Sequence, residues 1–247
     1  MIGICNLSNI SLRHAPESKS EIVSQLLFGE TFSITEEVEG WTKIIIDDDK
    51  YTGWISSKQF EILESEIKQR ETAIVFPFVT ATSVKGNIMI PAGSTLPNLT
   101  GNQFEINGTI YHLLQENLTY SIDSLSKIAV QYINTPYFWG GRSPFGIDCS
   151  GFVQTVYKQC GVQLKRDAWQ QAEQGSLVSF LEEAVCGDLA FFDNDEGKII
   201  HVGMMLDNNK IIHSSGKVRI DSIDNFGIMN MDEKQYSHKL RIIKRMV

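Results

Sequence analysis

The stretch Tyr137-Phe-Trp-Gly-Gly-Arg-Ser-Pro-Phe-Gly-Ile-Asp-Cys-Ser-Gly-Phe152 decides how this chain is read. A loop rich in glycine and aromatic residues runs into Asp148, which can cap a helix that opens at Cys149 and closes near Cys160, with Gly161 at the C-cap position. Gly146 and Gly151 let backbone approach closely on either side of the turn. A thiol placed there meets unpaired amides and the positive end of the helix dipole. Both favour the thiolate and supply donors for an oxyanion.

Such a thiol needs a base. His201 lies 52 residues downstream and His213 a further 12, in the apolar segments Ile199-Ile-His-Val-Gly-Met-Met-Leu and Lys210-Ile-Ile-His-Ser-Ser, which Asp207-Asn-Asn joins. Strand parity sets a condition on this pair. A two-residue turn at Asn208-Asn209 pairs Met204 with His213 and puts the imidazoles on opposite faces, whereas a three-residue loop or one bulge pairs Gly203 with His213 and brings them to one face. The catalytic reading therefore expects an odd loop or a bulge. Upstream, Ser121 to Ile133 reads as an N-capped amphipathic helix with Ile122, Leu125, Ile128, Ala129 and Ile133 along one side and Pro136 beyond its end. Residues 121–247 are thus α+β, helices first and then an antiparallel meander.

The first half has a different texture. From Asn6 to Phe60, short apolar runs break at Gly29-Glu30, Glu39-Gly40 and Asp47-Asp-Asp, the pattern of a small β-barrel. Residues 61–70 place Ile62, Leu63 and Ile67 at helical spacing among charges, so a helix and a polar connector both remain open. A second β-rich block runs from Thr72 to about Gln115, with Asn107-Gly108 as a two-residue hairpin signal.

At roughly 150 residues per domain, 247 residues suggest one or two domains. The small β blocks raise this to three: 1–62, 71–117 and 121–247. The net charge of −8 argues against nucleic acid or anionic lipid as a partner. It is also uneven, since residues 1–121 carry 8 Lys and Arg against 15 Asp and Glu. No run approaches the ~18 apolar residues of a membrane span, and the start Met1-Ile-Gly-Ile-Cys lacks a basic region followed by an apolar one; a cytoplasmic location is expected, and a periplasmic or exported one if a leader precedes this start. Four irregularly spaced cysteines with no Cys-x-x-Cys fit free thiols in a reducing compartment and suggest neither metal nor cofactor.

Taken in order, Tyr137-Phe-Trp-Gly-Gly, Gly146-Ile-Asp-Cys-Ser-Gly-Phe, Gly187-Asp-Leu-Ala-Phe-Phe, His201-Val-Gly and Ile212-His-Ser-Ser resemble the NlpC-type cysteine peptidases of bacterial cell-wall metabolism. The likeness spans roughly 122–247 and implies a papain-like catalytic domain. It also implies Cys149 as nucleophile, His201 as general base, His213 as the group that orients it, and Tyr137 on the oxyanion side. Trp139, Asp148, Ser150 and Asp167 match substrate-lining positions, while Ala168 departs from relatives that carry serine there. The N-terminal blocks resemble bacterial SH3-like domains, and the whole resembles γ-D-glutamyl-L-diamino acid endopeptidases. That resemblance implies a free murein stem peptide, L-Ala-γ-D-Glu-diamino acid, as the substrate, cut in wall degradation or recycling. Glu30 and Tyr51 stand where an acidic side chain and a tyrosine hold the peptide's free α-amine. The diamino acid, meso-diaminopimelate or lysine, and the oligomeric state stay open.

Two other readings stand beside this one: an inactive wall-binding SH3-like protein, and a thiol amidase or acyltransferase. Cys5, Cys160 and Cys186 read as structural, His14, His112 and His238 belong to no constellation, and Lys234 to Arg245 alternates as an edge strand does.

Overall fold

A computed structural model describes residues 1–64, 66–73, 76–117 and 120–247. The chain forms two compact units, one of Met1–Tyr120 with Trp139–Pro144, the other of Ser121–Phe138 with Phe145–Val247.

In the first unit, the alternating run Trp41–Ile46 buries Thr42, Ile44 and Ile46 and sits inside a seven-stranded sheet. The strand order is Ile22–Leu27, Asn9–Arg13, Thr52–Ser56, Trp41–Ile46, Thr31–Val38, Ile2–Ile4 and Glu61–Ile62. Cys5, Ile10, Leu12, Leu26, Phe32 and Ile44 form its core. The second β block has its own four-stranded sheet, in which Gln103–Ile106 and Thr109–Leu113 turn at Asn107-Gly108. Both turn residues have positive φ, 47° and 75°, as that tight hairpin requires. Ile4 and Phe28 of the first block share one apolar cluster with Val79, Phe104 and Tyr111 of the second, so the two sheets belong to a single compact unit. No helix forms over the described part of 61–70. Glu61–Ile62 pairs with Gly3 and Ile4 instead, and Leu63 and Ile67 pack on the shared cluster.

The short segment Trp139–Pro144 folds with this unit. The Trp139 indole donates to Glu21 at 2.7 Å, and at Gly140 (φ +77°) a Cβ would lie 2.4 Å from the Ile22 carbonyl oxygen, so only glycine fits. Arg142 donates from both terminal nitrogens to the two oxygens of Glu30, each at 2.9 Å, and the pair is almost fully buried.

In the second unit the expected first helix is shorter than its pattern. A 3-10 turn at Ile122–Ser124 leads into α1 (Leu125–Gln131), and the Ser121 hydroxyl makes no capping bond. α2 (Cys149–Gln159) is capped by Asp148, whose carboxylate accepts from the Gly151 amide at 2.7 Å. α3 (Ala168–Gln171) is a single turn. The helices lie against an extensive antiparallel sheet, so this unit is built mainly of strands.

Six of those strands, Leu189–Asp193, Ile199–Asp207, Lys210–Ser215, Lys217–Asp224, Gly227–Asn230 and Gln235–Arg245, pair in succession, and the last also pairs with the first. The meander thus closes on itself, which abolishes its edges. Gln235–Arg245 is therefore not an edge strand: it pairs with Leu189–Asp193, Gly227–Asn230 and the short Ser176–Val178. Ala190, Phe192, Met205, Ile211, Ile223, Ile228 and Ile243 make up its apolar cluster.

Candidate active site

The geometry starts from the turn between Ile199–Asp207 and Lys210–Ser215. The register slips between Met205 and Asp207, and this bulge pairs Gly203 with His213. His201, two residues before Gly203, consequently shares a face with His213. Their rings meet edge-on at 84°, with His201 Nε2 2.9 Å from His213 Nδ1. Gly203 leaves the room for this: a Cβ there would lie 2.9 Å from His213 Cβ and 2.7 Å from Ile211 Cδ1.

The line continues beyond His213. Its Nε2 lies 3.0 Å from Asp221 Oδ2, on the next strand. Asp221 is buried, and Arg219 donates to both its oxygens at 2.7 and 2.8 Å while the Met231 amide donates to Oδ1 at 3.0 Å. Burial pushes its carboxyl up, but the bonds from His213, Arg219 and Met231 outweigh burial and hold it well below the usual carboxylate range. An ionised Asp221 can only accept, so His213 Nε2 carries the hydrogen. With both imidazoles neutral, His213 Nδ1 then accepts from His201 Nε2–H, which leaves His201 Nδ1 as a bare acceptor.

His201 is buried, and burial, then His213 and His238, hold its pKa well below the ordinary imidazole value. His238 lies flat on it, with ring centroids 4.0 Å apart at 22°.

The Cys149 thiol is the first side chain of α2, which packs against the His201 and His213 strands. The amides of Val202, next to His201, and of Ser150 hydrogen-bond the sulfur. Burial and the neighbouring Asp148 carboxylate nevertheless outweigh these donors and Arg166, and push the thiol up to about 12. The helix start alone leads one to expect a lowered pKa; desolvation reverses that. Tyr137 lies in the electrostatic field of Cys149, and burial followed by the charges of Cys149 and Asp148 raises its phenol.

Asp148 and Ser150 are drawn into a structural network. Arg166, 1% exposed, donates to Asp148 Oδ1 at 3.1 Å and Oδ2 at 2.5 Å, and to the Ser150 hydroxyl at 2.9 Å. Asp167 occupies the N-cap of α3, its amide donating to Gln170 at 3.1 Å. Ser214 donates to the Ile147 carbonyl at 2.8 Å, tying the His213 strand to the turn that carries the nucleophile.

The second unit therefore brings together Cys149, Tyr137, Asp148, Ser150, His201 and His213, while Glu30, Tyr51 and Trp139 belong to the first. Trp139 is exposed apart from its bond to Glu21, and Tyr51 is half-buried against the first core. Glu30 differs from expectation. It is not a carboxylate awaiting a cation, because Arg142 already neutralises it and the Leu27 amide donates to it at 2.9 Å. Sequence reasoning missed Asp221, Arg166 and His238. The local hint for Asp221 was the alternation Lys217-Val-Arg219-Ile-Asp221, which puts three charged residues on one parity of the strand; His238 carried none.

Comparison with known proteins bears on this arrangement. Residues 134–241 match the family model described as NlpC/P60 family, and residues 12–60 match the model described as bacterial dipeptidyl-peptidase Sh3 domain. The chain is 30% identical over 249 residues to the γ-D-glutamyl-L-lysine dipeptidyl-peptidase of Bacillus subtilis, covering 91% of this chain and 81% of that protein. The chain belongs to the NlpC/P60 family. It is a cysteine peptidase of that family, and its N-terminal half contains an SH3-like domain. It is also similar to the protein of the same name from Bacillus cereus, at 26% identity over 79% of this chain and 68% of that one. A crystal structure of an NlpC/P60 family protein from Bacillus cereus superposes with a TM-score of 0.83, at 20% identity over 100% of this chain and 99% of that one, which shows a shared fold. No helix among the described residues is long and apolar enough to cross a membrane.

Proposed function

We propose that this NlpC/P60 peptidase hydrolyses the bond between γ-D-glutamate and the diamino acid in murein stem peptides that begin with L-Ala. Its papain-like site would have Cys149 as nucleophile and His201 as base. The observation that carries the chemistry is the line His201–His213–Asp221, which fixes both histidine tautomers and leaves His201 Nδ1 bare. The substrate reading is supported by the names of the two Bacillus relatives.

With a raised thiol and a lowered imidazole, the resting pair is neutral. Attack therefore moves the Cys149 proton to His201 Nδ1 as sulfur bonds to the γ-carbonyl carbon. The amide at the start of α2 and the protonated Tyr137 phenol are the donors for the resulting oxyanion. The imidazolium then gives its proton to the leaving amine of the diamino acid, forming a thioester. Water, deprotonated by His201, attacks that thioester, and the acyl group leaves as the free γ-carboxylate with the thiol restored.

Incubation with L-Ala-γ-D-Glu-meso-diaminopimelate and its lysine counterpart tests this directly. Release of L-Ala-D-Glu and the free diamino acid is expected, and is abolished in C149A. No cleavage of either peptide rejects the substrate. The same peptides acetylated at the N-terminus test the need for a free amine, and equal cleavage rejects it. An amidase or acyltransferase would instead yield a different acyl group on trapped Cys149.

A further inference from the structure

His201 is held along one axis by its bond to His213, but a bond through a single ring nitrogen leaves the imidazole free to swing about it. The second axis is supplied from the Gln235–Arg245 strand. His238 covers the face of His201 at 4.0 Å and 22°, while standing edge-on to His213 (5.9 Å, 82°) and to Phe192 (5.9 Å, 63°). Phe192 contacts His201 as well, at 5.7 Å. His238 Nδ1 lies 2.9 Å from the Ser237 hydroxyl. Partial exposure of His238 and burial of His201 show which ring faces water: His238 is the cover and His201 is covered.

We propose that His238 is a positioning residue of the peptidase, a planar cover that fixes the plane of the His201 ring and keeps water from its face. This rests on the reading of His201 as the base. The stack has an electrostatic condition attached. When His201 takes the thiol proton it becomes a cation, and a second cation 4 Å away would oppose that step, so the cover has to stay neutral. Its surroundings meet this condition. Burial and then His213 lower the His238 pKa to about 4, against the partial opposition of Asp221. The charged groups nearby on the paired strands, Asp221 with Arg219, and Asp193 with Arg241 at 3.6 Å, are matched within themselves.

The test compares His238→Ala with His238→Phe in the full chain. The readouts are kcat and KM on the tripeptide and the titration of His201 followed by NMR, which needs no substrate. H238A should lower kcat by about tenfold with KM little changed, since ring orientation and not peptide binding is lost. Admitting water to the His201 face should also move its titration up toward the ordinary imidazole range. H238F, planar and unable to titrate, should recover most of the lost kcat and restore the low His201 titration. An H238A protein with unchanged kcat and an unmoved titration overturns the proposal, as does an H238F protein as impaired as H238A. Full activity in His201→Ala would instead overturn the assignment of the base, while the titration of His201 in the His238 variants would stand apart from that result. A thermal melt of each variant separates loss of the cover from loss of the fold.

Discussion

Replacing Asp221 with asparagine tests the tautomer argument at its root, because one oxygen becomes an NH2 with almost no change in shape. Both oxygens are committed. Oδ2 accepts from His213 and Arg219 Nε, and Oδ1 accepts from Arg219 Nη2 and the Met231 amide. In either orientation, therefore, the new NH2 faces two donors. If it takes the Oδ2 place, His213 Nε2 must become the acceptor. His213 then carries its hydrogen on Nδ1 and donates to His201 Nε2, and His201 is driven to hold its own hydrogen on Nδ1, where the base is needed.

In serine peptidases, changing the triad aspartate to asparagine leaves the geometry intact but forces the wrong histidine tautomer, and kcat falls by about 10⁴. Here the acid acts through an intervening histidine and a second amide orientation competes, so a fall of roughly 10²–10⁴, about 3–5 kcal/mol in the barrier, is expected. Loss of charge-assisted bonds at a buried site should also lower stability by about 2–4 kcal/mol. Wild-type stability from Asp221 is complete above the ordinary carboxyl range and is lost as pH falls through the lowered native value, because the unfolded chain binds the proton first. D221N should flatten that acid limb. The assay is kcat on the tripeptide beside urea unfolding and ¹⁵N shifts of the two imidazoles. A variant with kcat within about threefold of wild type and unaltered tautomers would refute the reasoning.

Glu30→Ala leaves the buried Arg142 cation without its bidentate partner and should destabilise the protein by about 3–5 kcal/mol in urea unfolding, with much of the loss recovered in E30A/R142M. Gly203→Ala sets a methyl 2.9 Å from His213 Cβ, so kcat should fall with little change in KM, and the ¹⁵N signals of His213 should shift. Because His201 is held below the ordinary imidazole range, it stays an unprotonated base as pH drops through that range, and kcat/KM should hold at pH values where a solvent-exposed histidine base would already be protonated. In the free enzyme, iodoacetamide should label Cys149 slowly at neutral pH and faster as pH rises, read by mass spectrometry of its peptide so that exposed Cys186 is counted apart.

Local chemistry was legible in the sequence wherever partner and signal lay close together. Asn107-Gly108 specifies its hairpin, Asp148 caps the helix three residues before the amide it binds, and strand parity taken with the catalytic reading asked for an odd loop or a bulge, of which the structure has the bulge, pairing Gly203 with His213. What could not be read depends on partners chosen by the closed sheet. Asp221 reaches His213 across a strand pairing, and His238 arrives on a strand whose register slips against Leu189–Asp193 and against Gly227–Asn230, so its place over His201 follows from two irregularities that no local pattern encodes. Glu30 meets Arg142 across 112 residues, which changes a free carboxylate into a neutralised one. The raised thiol of Cys149 is not legible in the sequence for a related reason: helix position is local, whereas desolvation is set by everything packed around the sulfur.

The six residues Trp139–Pro144 lie in sequence between Tyr137 and Cys149, yet they fold with Met1–Tyr120. The peptidase portion is thus not a module that can be excised by cutting the chain once. A fragment starting at Ser121 would carry Arg142 away from Glu30, Trp139 from Glu21 and Gly140 from Ile22, leaving a desolvation-adapted cation without its partner a few residues before the nucleophile. Shuffling this hydrolase onto another N-terminal partner requires rewriting the loop as well as the junction. The stretch that carries the catalytic signature is also the stretch that commits the enzyme to the domain it was made with.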